Sequence, residues 1–325
     1  MAVLLYDSRS GSTYFSRILD EQEGISVSVE STFFVHLMEM ECLDCADKII
    51  NHLIKKDFRF KNIFSRPKQF YKCFDSLNHP TPYDVARCIM SAHFPETDRS
   101  SIWIIKCGMF LHHLIGVAEY YPRMRFLHIL RDGRAVLNSK MHANRVYRKG
   151  KMAEDVFTPA RVWRGYVTVA NRTKAACPDR LLEVRYESLL TSQENEIRRV
   201  RRFLNLSEEP RSKPSDRSSG YFNRIPDAEK SLHHNVEKEG IIANVDKWKI
   251  QLSKPDVMLY EYLNGDQLRS KQYELIYSPE DKRHSALFWF NLVLNLAKHI
   301  SLRARRKWTQ LRRKAGPDPG KEVQV

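Results

Sequence analysis

The sequence predicts an α/β protein with a central parallel sheet flanked by helices, plus a helical basic extension at the C-terminal end. Short apolar runs of strand length alternate along the chain with longer segments whose apolar residues recur at helical spacing. Strands that alternate with helices in this way form parallel sheets through right-handed crossovers. At 325 residues the chain has room for one large α/β domain or two small ones.

Five strands are expected. The first is an apolar run, the second alternates with a period of two, and the other three are short and mostly apolar: Val3–Leu5, Ile25–Val29, Ile102–Ile105, Phe126–Leu130 and Leu181–Val184. Helical patterns lie between and after them, at residues 14–19, 33–38, 109–121, 135–143, 159–176 and up to 204. Residues 42–100 are expected to form helices and loops, and the polar, proline-containing residues 207–231 a loop or flexible lid.

The composition indicates a globular protein, with 42% hydrophobic and 11% aromatic residues. The N-terminal residues contain no basic region that leads into a long apolar stretch, and no apolar segment has membrane-spanning length. A non-secreted protein is therefore predicted, cytoplasmic if bacterial. The six cysteines are too few for a disulfide scaffold and are expected to be reduced. Cys42 and Cys45 have CxxC spacing, but no second pair or nearby histidine pair completes a zinc site.

The net charge of +15 is concentrated near the C-terminal end, where residues 298–314 hold eight Lys or Arg and no acid. The mostly apolar residues 286–300 lead into this segment. Residues 286–314 are therefore expected to form a helix that lies in the headgroup layer of a membrane, with arginines facing anionic lipids. The alternative is a helix that docks on the core and carries a solvated basic tail.

The loop after the first strand, residues 8–13, has the sequence Ser-Arg-Ser-Gly-Ser-Thr. It places backbone N–H groups at a helix N-terminus, where anions are favoured, and Arg9 adds a full positive charge. The loop lacks the lysine of the GxxxxGK[ST] motif and the three glycines of a dinucleotide fingerprint. It is predicted to be an anion-binding loop that belongs to neither of these two motif classes. The alternative is an ordinary turn from strand to helix.

Charged residues stand at the ends of all five predicted strands. They are Arg9, Glu30, Lys106, Arg131 and Arg185. Ligands of parallel sheets bind at the carboxyl ends of the strands. Each residue alone would be an ordinary surface charge, but four cations on one edge predict a site for a multiply charged anion.

Three segments together resemble a known family: RSGST at 9–13, FLHILRDGRAVLNSK at 126–140 and RLLEVRYESLL at 180–190. They are similar to sulfotransferases that use 3′-phosphoadenosine 5′-phosphosulfate (PAPS), most of all to the bacterial and carbohydrate-type branches. The resemblance covers roughly residues 1–275 and implies one domain with a nucleotide-kinase-like P-loop architecture, followed by the extension over residues 276–325. The carbohydrate-type resemblance implies a carbohydrate acceptor, and a C-terminal helix on a membrane would favour a glycolipid or another lipid-linked acceptor.

The resemblance also assigns residues to the donor PAPS. The loop from Arg9 through Ser10, Gly11, Ser12 and Thr13 matches the segment that holds the 5′-phosphosulfate. Five further residues match family positions around the rest of the donor. They are Arg131 and Ser139 at the 3′-phosphate, Tyr186 near the nucleotide, and Lys238 and Trp248 in the late segment that closes over the donor. The sequence departs from the family pattern at Cys107 and Gly108, where Thr-Pro is usual, and at residues 238–240, where a doubled basic pair before glycine is usual.

Sulfuryl transfer needs in-line geometry and charge stabilisation, and a base that takes the acceptor proton. Arg9 and Lys106 are the predicted charge stabilisers. Glu30 is the predicted base, and His36 is the second candidate. No metal is expected, and the product of the donor would be adenosine 3′,5′-bisphosphate (PAP).

Two other functions are weighed against this one. A P-loop nucleotide kinase-like phosphotransferase is disfavoured by the missing loop lysine and the absence of an obvious magnesium aspartate. A basic nucleic-acid-binding protein is disfavoured because the excess charge lies beyond the motifs and no recognition motif accompanies it, so no nucleic-acid partner is expected. The oligomeric state stays open.

Overall fold

A five-stranded parallel sheet organises the chain in the computed structural model, which describes residues 1–94, 102–108, 114–147, 152–209, 220–225 and 245–314. The strands are β1 (Ala2–Tyr6), β2 (Ile25–Glu30), β3 (Ile102–Cys107), β4 (Arg125–Leu130) and β5 (Leu181–Arg185). Their order across the sheet is β2-β3-β1-β4-β5, and every neighbouring pair is parallel. The α/β prediction and all five predicted strands are thereby confirmed.

The apolar sequence of β1 follows from its central position. All five residues of this strand are buried, as expected for a parallel strand with helices on both faces. Alternate side chains point to opposite faces. Val3 and Leu5 belong to one hydrophobic cluster, while Ala2, Leu4 and Tyr6 belong to the other.

Sixteen α-helices and one short 3-10 helix, Pro178–Arg180, are present in the described residues. In chain order, α1 to α8 are Ser12–Asp20, Phe33–Leu37, Ala46–Lys56, Phe60–Ile63, Pro67–Phe74, Pro82–His93, Leu114–Tyr120 and Gly133–Tyr147. Helices α9 to α16 are Phe157–Ala176, Tyr186–Thr191, Gln193–Phe203, Gly220–Arg224, Lys247–Gln251, Lys254–Ser270, Pro279–Arg283 and Ala286–Lys314. No helix in the described ranges is long and apolar enough to cross a membrane.

The chain divides into two compact units. The first comprises residues 1–131 and 165–245, and it holds the whole sheet. The second comprises residues 132–164 and 246–325, and it holds α8, the start of α9 and the helices from α13 onward. The interior of the second unit contains Arg134, whose guanidinium bonds the carboxylates of Asp132 and Glu261.

Helix α12 lies inside the segment that was predicted to be a loop or lid. Arg224 at its end binds Asp20 and donates to the backbone oxygen of Val27 at 3.2 Å. The prediction of loop for residues 220–224 is therefore wrong, because tertiary contacts hold a short helix against β2 and α1. Residues 210–219 and 226–231 of the predicted lid lie outside the described part.

Two of the six cysteines are bonded to one another. Cys73 on α5 and Cys88 on α6 form a disulfide, so the expectation of six reduced cysteines is wrong for this pair. The sequence gives no sign of this pairing, since the two positions are 15 apart and no cysteine pattern marks them. The other four are free thiols.

Candidate active site

The loop between β1 and α1 has an unusual backbone. Arg9 has φ 72° and Gly11 has φ 92°, both in the left-handed region. The N–H of Ser10 donates to the oxygen of Asp7 at 3.1 Å, which closes a tight turn before the helix. Gly11 is the N-cap of α1, and no side chain caps the helix there. The first N–H groups of α1 are thus without the side-chain acceptor that usually caps a helix.

Gly11 is also required by a close neighbour. A Cβ atom at this position would lie 2.2 Å from Cδ2 of Tyr186, the first residue of α10. Only glycine can adopt this positive φ while its backbone lies this close to the Tyr186 ring. The loop therefore packs directly on the Tyr186 ring, which is 8% exposed.

Arg131, directly after β4, joins the loop to the same ring. Its guanidinium donates to the backbone oxygen of Arg9 at 3.2 Å. Its Cζ lies 4.5 Å from the centroid of the Tyr186 ring, a cation–π distance. Burial raises the pKa of the Tyr186 phenol, with a smaller opposing effect from Arg131. Arg9, Gly11, Arg131 and Tyr186 therefore form one contact group.

Lys106 lies on the other side of the loop, near the end of β3. It is 5% exposed, and its ammonium donates to Oγ1 of Thr13 at 3.0 Å. Two aromatic rings surround it: the Nζ atom lies 5.4 Å from the centroid of Tyr6 and 5.7 Å from that of Tyr221 on α12. A buried cation thus stands at the N-terminus of α1, where its charge adds to that of the helix dipole.

Glu30 ends β2 and is in register with Lys106 of the neighbouring strand. The Tyr6 hydroxyl donates to its Oε2 at 2.6 Å, and the Arg59 guanidinium donates to its Oε1. Burial, and then the charge and hydrogen bond of Glu30, raise the pKa of Tyr6 well above its ordinary value. The phenol therefore stays a donor, and the carboxylate is held at both oxygens.

Asp57 fixes the backbone that presents Arg59. Its carboxylate is 3% exposed and accepts from the Ser31 hydroxyl at 2.6 Å and from the Thr32 N–H at 2.8 Å, just after β2. The same carboxylate accepts from the N–H of Arg59 at 2.9 Å. One buried aspartate therefore ties the end of β2 to the turn between α3 and α4, and this turn aims Arg59 at Glu30.

The departure from Thr-Pro at residues 107–108 has a local structural basis. A Cβ atom on Gly108 would lie 3.0 Å from the Tyr6 ring, closer than ordinary contact. The oxygen of Gly108 accepts a hydrogen bond from the Tyr166 hydroxyl on α9. Tyr6 therefore occupies space that a larger residue at position 108 would need.

His36 has its own partners on the second helix. Its Nδ1 lies 2.9 Å from Oε1 of Glu39, and its Nε2 lies 3.3 Å from Oγ1 of Thr32. Glu39 also pairs with Lys56 at 2.8 Å. The structure thus brings Glu30 into contact with Tyr6, and it engages His36 in a network between α2 and α3.

The remaining predicted donor residues lie elsewhere. Ser139 is half-buried on α8 and Trp248 is on α13, both in the second unit. Trp248 is 2% exposed, and the Arg134 guanidinium lies 4.1 Å from its ring centroid. Lys238 lies outside the described residues.

Sequence reasoning missed several residues that shape this edge of the sheet: Tyr6, Asp57, Arg59 and Tyr221. Tyr6 carried a signal, because it is the last residue of the first strand and immediately precedes the loop. The others reach the site from helices and turns that no local pattern connects with it.

A family model described as the sulfotransferase family matches residues 8–210. The chain belongs to the sulfotransferase family. This confirms the PAPS-dependent enzyme family that the three motifs indicated. No curated protein matches this sulfotransferase significantly in sequence.

Two solved structures are similar to this sulfotransferase in fold. One is the sulfotransferase domain of the olefin synthase of Synechococcus PCC 7002, with a TM-score of 0.52 and 17% identity over 85% of this chain and 95% of that chain. The other is the sulfotransferase domain from the curacin biosynthetic pathway, with a TM-score of 0.50 and 17% identity over 85% of this chain and 98% of that chain. They share the P-loop-like α/β fold.

The described residues fit an anionic donor. The hydroxyl of Ser10 is buried and has no hydrogen-bond partner among the described residues, although buried polar groups are normally paired. It lies in the loop that lacks a capping side chain, and the same loop contacts Arg131 through Arg9 and Lys106 through Thr13. Among the described residues, no group of three or more His, Cys, Asp or Glu side chains is arranged to hold a metal ion.

Proposed function

We propose that this sulfotransferase moves the sulfuryl group of PAPS to a hydroxyl of a carbohydrate, a glycolipid or another lipid-linked acceptor, and that the carboxyl edge of its sheet is the active site. The observation that carries the proposal is the contact group of Arg9, Gly11, Arg131 and Tyr186 beside a buried Lys106. The resemblance assigns the first four of these residues to the donor, and Lys106 is a predicted charge stabiliser.

The donor supplies an activated sulfuryl group whose leaving group is the 5′-phosphate of PAP. A sulfur–oxygen bond forms to the acceptor oxygen while the bond to the phosphate oxygen breaks, and the acceptor proton must leave. In the proposal, Glu30 takes this proton. Lys106, Arg9 and the N–H groups of α1 stabilise the negative charge that grows on the leaving oxygen.

Tyr6 and Arg59 act through Glu30 as positioning residues. They hold both carboxylate oxygens at the end of β2, beside Lys106 in the next strand. A base held in this way loses less orientational freedom when the acceptor binds. His36, the second candidate, is a weaker choice because a neutral imidazole has a single acceptor nitrogen and both of its nitrogens already have partners, Glu39 and Thr32. Each oxygen of Glu30 accepts one hydrogen bond and keeps a second lone pair for the acceptor proton.

Donor contacts from Ser139, Lys238 and Trp248 remain part of the proposal. Each would be tested by its own substitution, with PAP affinity as the measurement. The proposal also keeps residues 1–275 as the transferase domain and residues 276–325 as the extension, in a cytoplasmic protein that is peripheral on a membrane.

The redox state of Cys73 and Cys88 tests the proposed cytoplasmic location. Disulfides are rare in the reduced cytosol and common in oxidising compartments. Cells lysed in a thiol-trapping alkylator should yield both cysteines alkylated if the protein is cytoplasmic. An unalkylated, bonded pair would place the protein in an oxidising compartment.

Calorimetry with PAP against ATP tests donor recognition. We expect micromolar binding of PAP, no comparable binding of ATP, and loss of PAP binding in Arg131→Ala. Arg123→Ala is the matched control, because Arg123 is an exposed arginine in the turn before β4. Indifference to PAP would overturn the proposal, and a preference for ATP would favour the kinase-like alternative.

The acceptor class needs a separate screen. Labelled sulfate from PAPS is offered to a cell extract that has been split into lipid and soluble fractions. Label in the lipid fraction supports a glycolipid or lipid-linked acceptor, and label in glycans of the soluble fraction supports a carbohydrate. Label on neither fraction contradicts the proposed acceptor classes.

A further inference from the structure

Helix α16 packs on its unit through a polar face. The N–H of Val156 donates to Oδ1 of Asn295 at 2.9 Å, and Nδ2 of Asn291 donates to Oδ1 of Asp256 at 3.0 Å. His299, one turn further along, pairs with Asp155 at 3.6 Å. Among the described side chains of this inward face, Phe288 is the only large apolar one that is fully buried.

The opposite face of α16 is apolar and exposed. Eight of the fifteen exposed large apolar side chains in the described residues lie in this one helix: Leu287, Trp289, Phe290, Val293, Leu294, Leu296, Ile300 and Trp308. Phe290 is 68% exposed and Val293 65%. At about 100° per residue, these positions cover about half of the helix circumference. The helix thus reverses the usual arrangement, in which the apolar stripe faces the core.

Cations lie at both margins of this apolar face. On a helical wheel, Lys298 and Arg305 lie at one edge of the apolar face, and Arg303 and Lys307 lie at the other edge. All four are exposed, and no acidic residue occurs between positions 298 and 314. A matching occupant must therefore present an apolar layer bordered by negative charge. A second copy of the same face would place these cations against one another, which opposes self-association.

We propose that the exposed face of α16 is a docking surface for an anionic lipid bilayer. The helix lies in the plane of the interface, with Phe290, Val293 and Ile300 in the acyl boundary and the basic residues among the headgroups. Trp308 suits the interface because its ring is amphipathic. The docking surface does not depend on whether the protein is catalytically active. Its consequence, that the acceptor hydroxyl lies at a membrane, rests on the proposed function.

Vesicle cosedimentation of the full chain tests this surface. We expect binding to vesicles of phosphatidylcholine with about 30% phosphatidylserine, weak binding to pure phosphatidylcholine, and release as salt rises and screens the cations. The fluorescence of Trp289 and Trp308 should shift to the blue on binding.

Substitutions separate the surface from other effects. Phe290→Asp with Ile300→Asp should lower vesicle affinity by roughly a hundredfold or more, since each change removes apolar burial and adds a charge in the lipid. Ile250→Asp is the matched control, because Ile250 is 90% exposed on α13 and lies outside the face. Its vesicle binding should stay unchanged.

Several outcomes would overturn the docking proposal: no vesicle binding by the folded chain, equal binding to neutral and anionic vesicles, equal loss in the control, or a salt-stable dimer that buries Phe290. PAP calorimetry on the same preparations distinguishes the two proposals. A chain that binds vesicles but not PAP contradicts the proposed function alone, and a chain that binds PAP but not vesicles contradicts the docking surface alone.

Discussion

Replacing Gly11 by alanine should disable the loop between β1 and α1. The new Cβ atom would lie 2.2 Å from Cδ2 and 2.4 Å from Cε2 of Tyr186, whereas carbon atoms pack at about 3.5 Å or more. The ring, which holds Arg131 at 4.5 Å, would have to move by about 1 Å or more. Alanine must also adopt φ 92°, a conformation that L-residues avoid.

The two costs set the size of the effect. Left-handed backbone costs a non-glycine residue about 1–2 kcal/mol, and an off-rotamer tyrosine costs about 0.5–1.5 kcal/mol. If PAP binds only the native loop, a total of about 2–3 kcal/mol corresponds to roughly 30- to 140-fold weaker binding at about 1.4 kcal/mol per decade. Isothermal calorimetry with PAP measures this directly.

Gly116→Ala is the matched control for Gly11→Ala. Gly116 lies in α7 of the same unit, and a Cβ atom there meets only Met38 Cε at 4.0 Å. This variant should bind PAP normally and gain up to about 1 kcal/mol of stability, since alanine is the better helix former. Normal PAP affinity in Gly11→Ala, or an equal loss in Gly116→Ala, would refute the reasoning.

Three further predictions concern the surroundings of the site. Tyr6→Phe removes the 2.6 Å hydrogen bond to Glu30, so kcat should fall roughly tenfold while PAP affinity stays the same. Burial lowers the pKa of His93 from 6.5 to about 3, so the unfolded chain binds the proton first as the pH falls. The free energy of unfolding should drop by about 1.4 kcal/mol per pH unit below 6.5, and His93→Gln should remove this slope. Reducing the disulfide between Cys73 and Cys88 opens a short loop and should cost about 3 kcal/mol, seen as a lower denaturation midpoint.

Each of these predictions has a control in the chain. Tyr120→Phe, His284→Gln and Cys42→Ser alter exposed residues of the same types and should change nothing. A Tyr6→Phe enzyme with full kcat would remove Tyr6 from the positioning of Glu30. An unchanged acid slope in His93→Gln, or an unchanged midpoint on reduction, would show that the named group is not the cause.

The strand edge could be predicted because parallel strands bring their carboxyl ends together. Glu30, Lys106 and Arg131 were placed there from strand ends alone, and the sheet confirms that all three lie at this edge. Burial of Lys106 could not be predicted from the sequence. Lys106 contacts Thr13 and the ring of Tyr221, and Tyr221 belongs to a helix that the local sequence did not indicate.

Contacts between distant segments account for the rest. Arg59 reaches Glu30 through a turn that Asp57 holds, and neither residue belongs to a periodic pattern. Helix α16 was expected from its apolar residues, but periodicity cannot tell which face packs on the protein. Hydrogen bonds of Asn291 and Asn295 determine which face packs on the protein, since they hold the polar face inward.

Transfer of labelled sulfate by Glu30→Gln tests the central claim most directly. The amide keeps the size of the carboxylate but cannot take the acceptor proton, so wild-type enzyme should label an acceptor and Glu30→Gln should not, while both bind PAP equally. Full transfer by Glu30→Gln would contradict the assignment of Glu30 as the base. Failure of the wild-type chain to transfer sulfate although it binds PAP would contradict the assignment of this strand edge as the catalytic site.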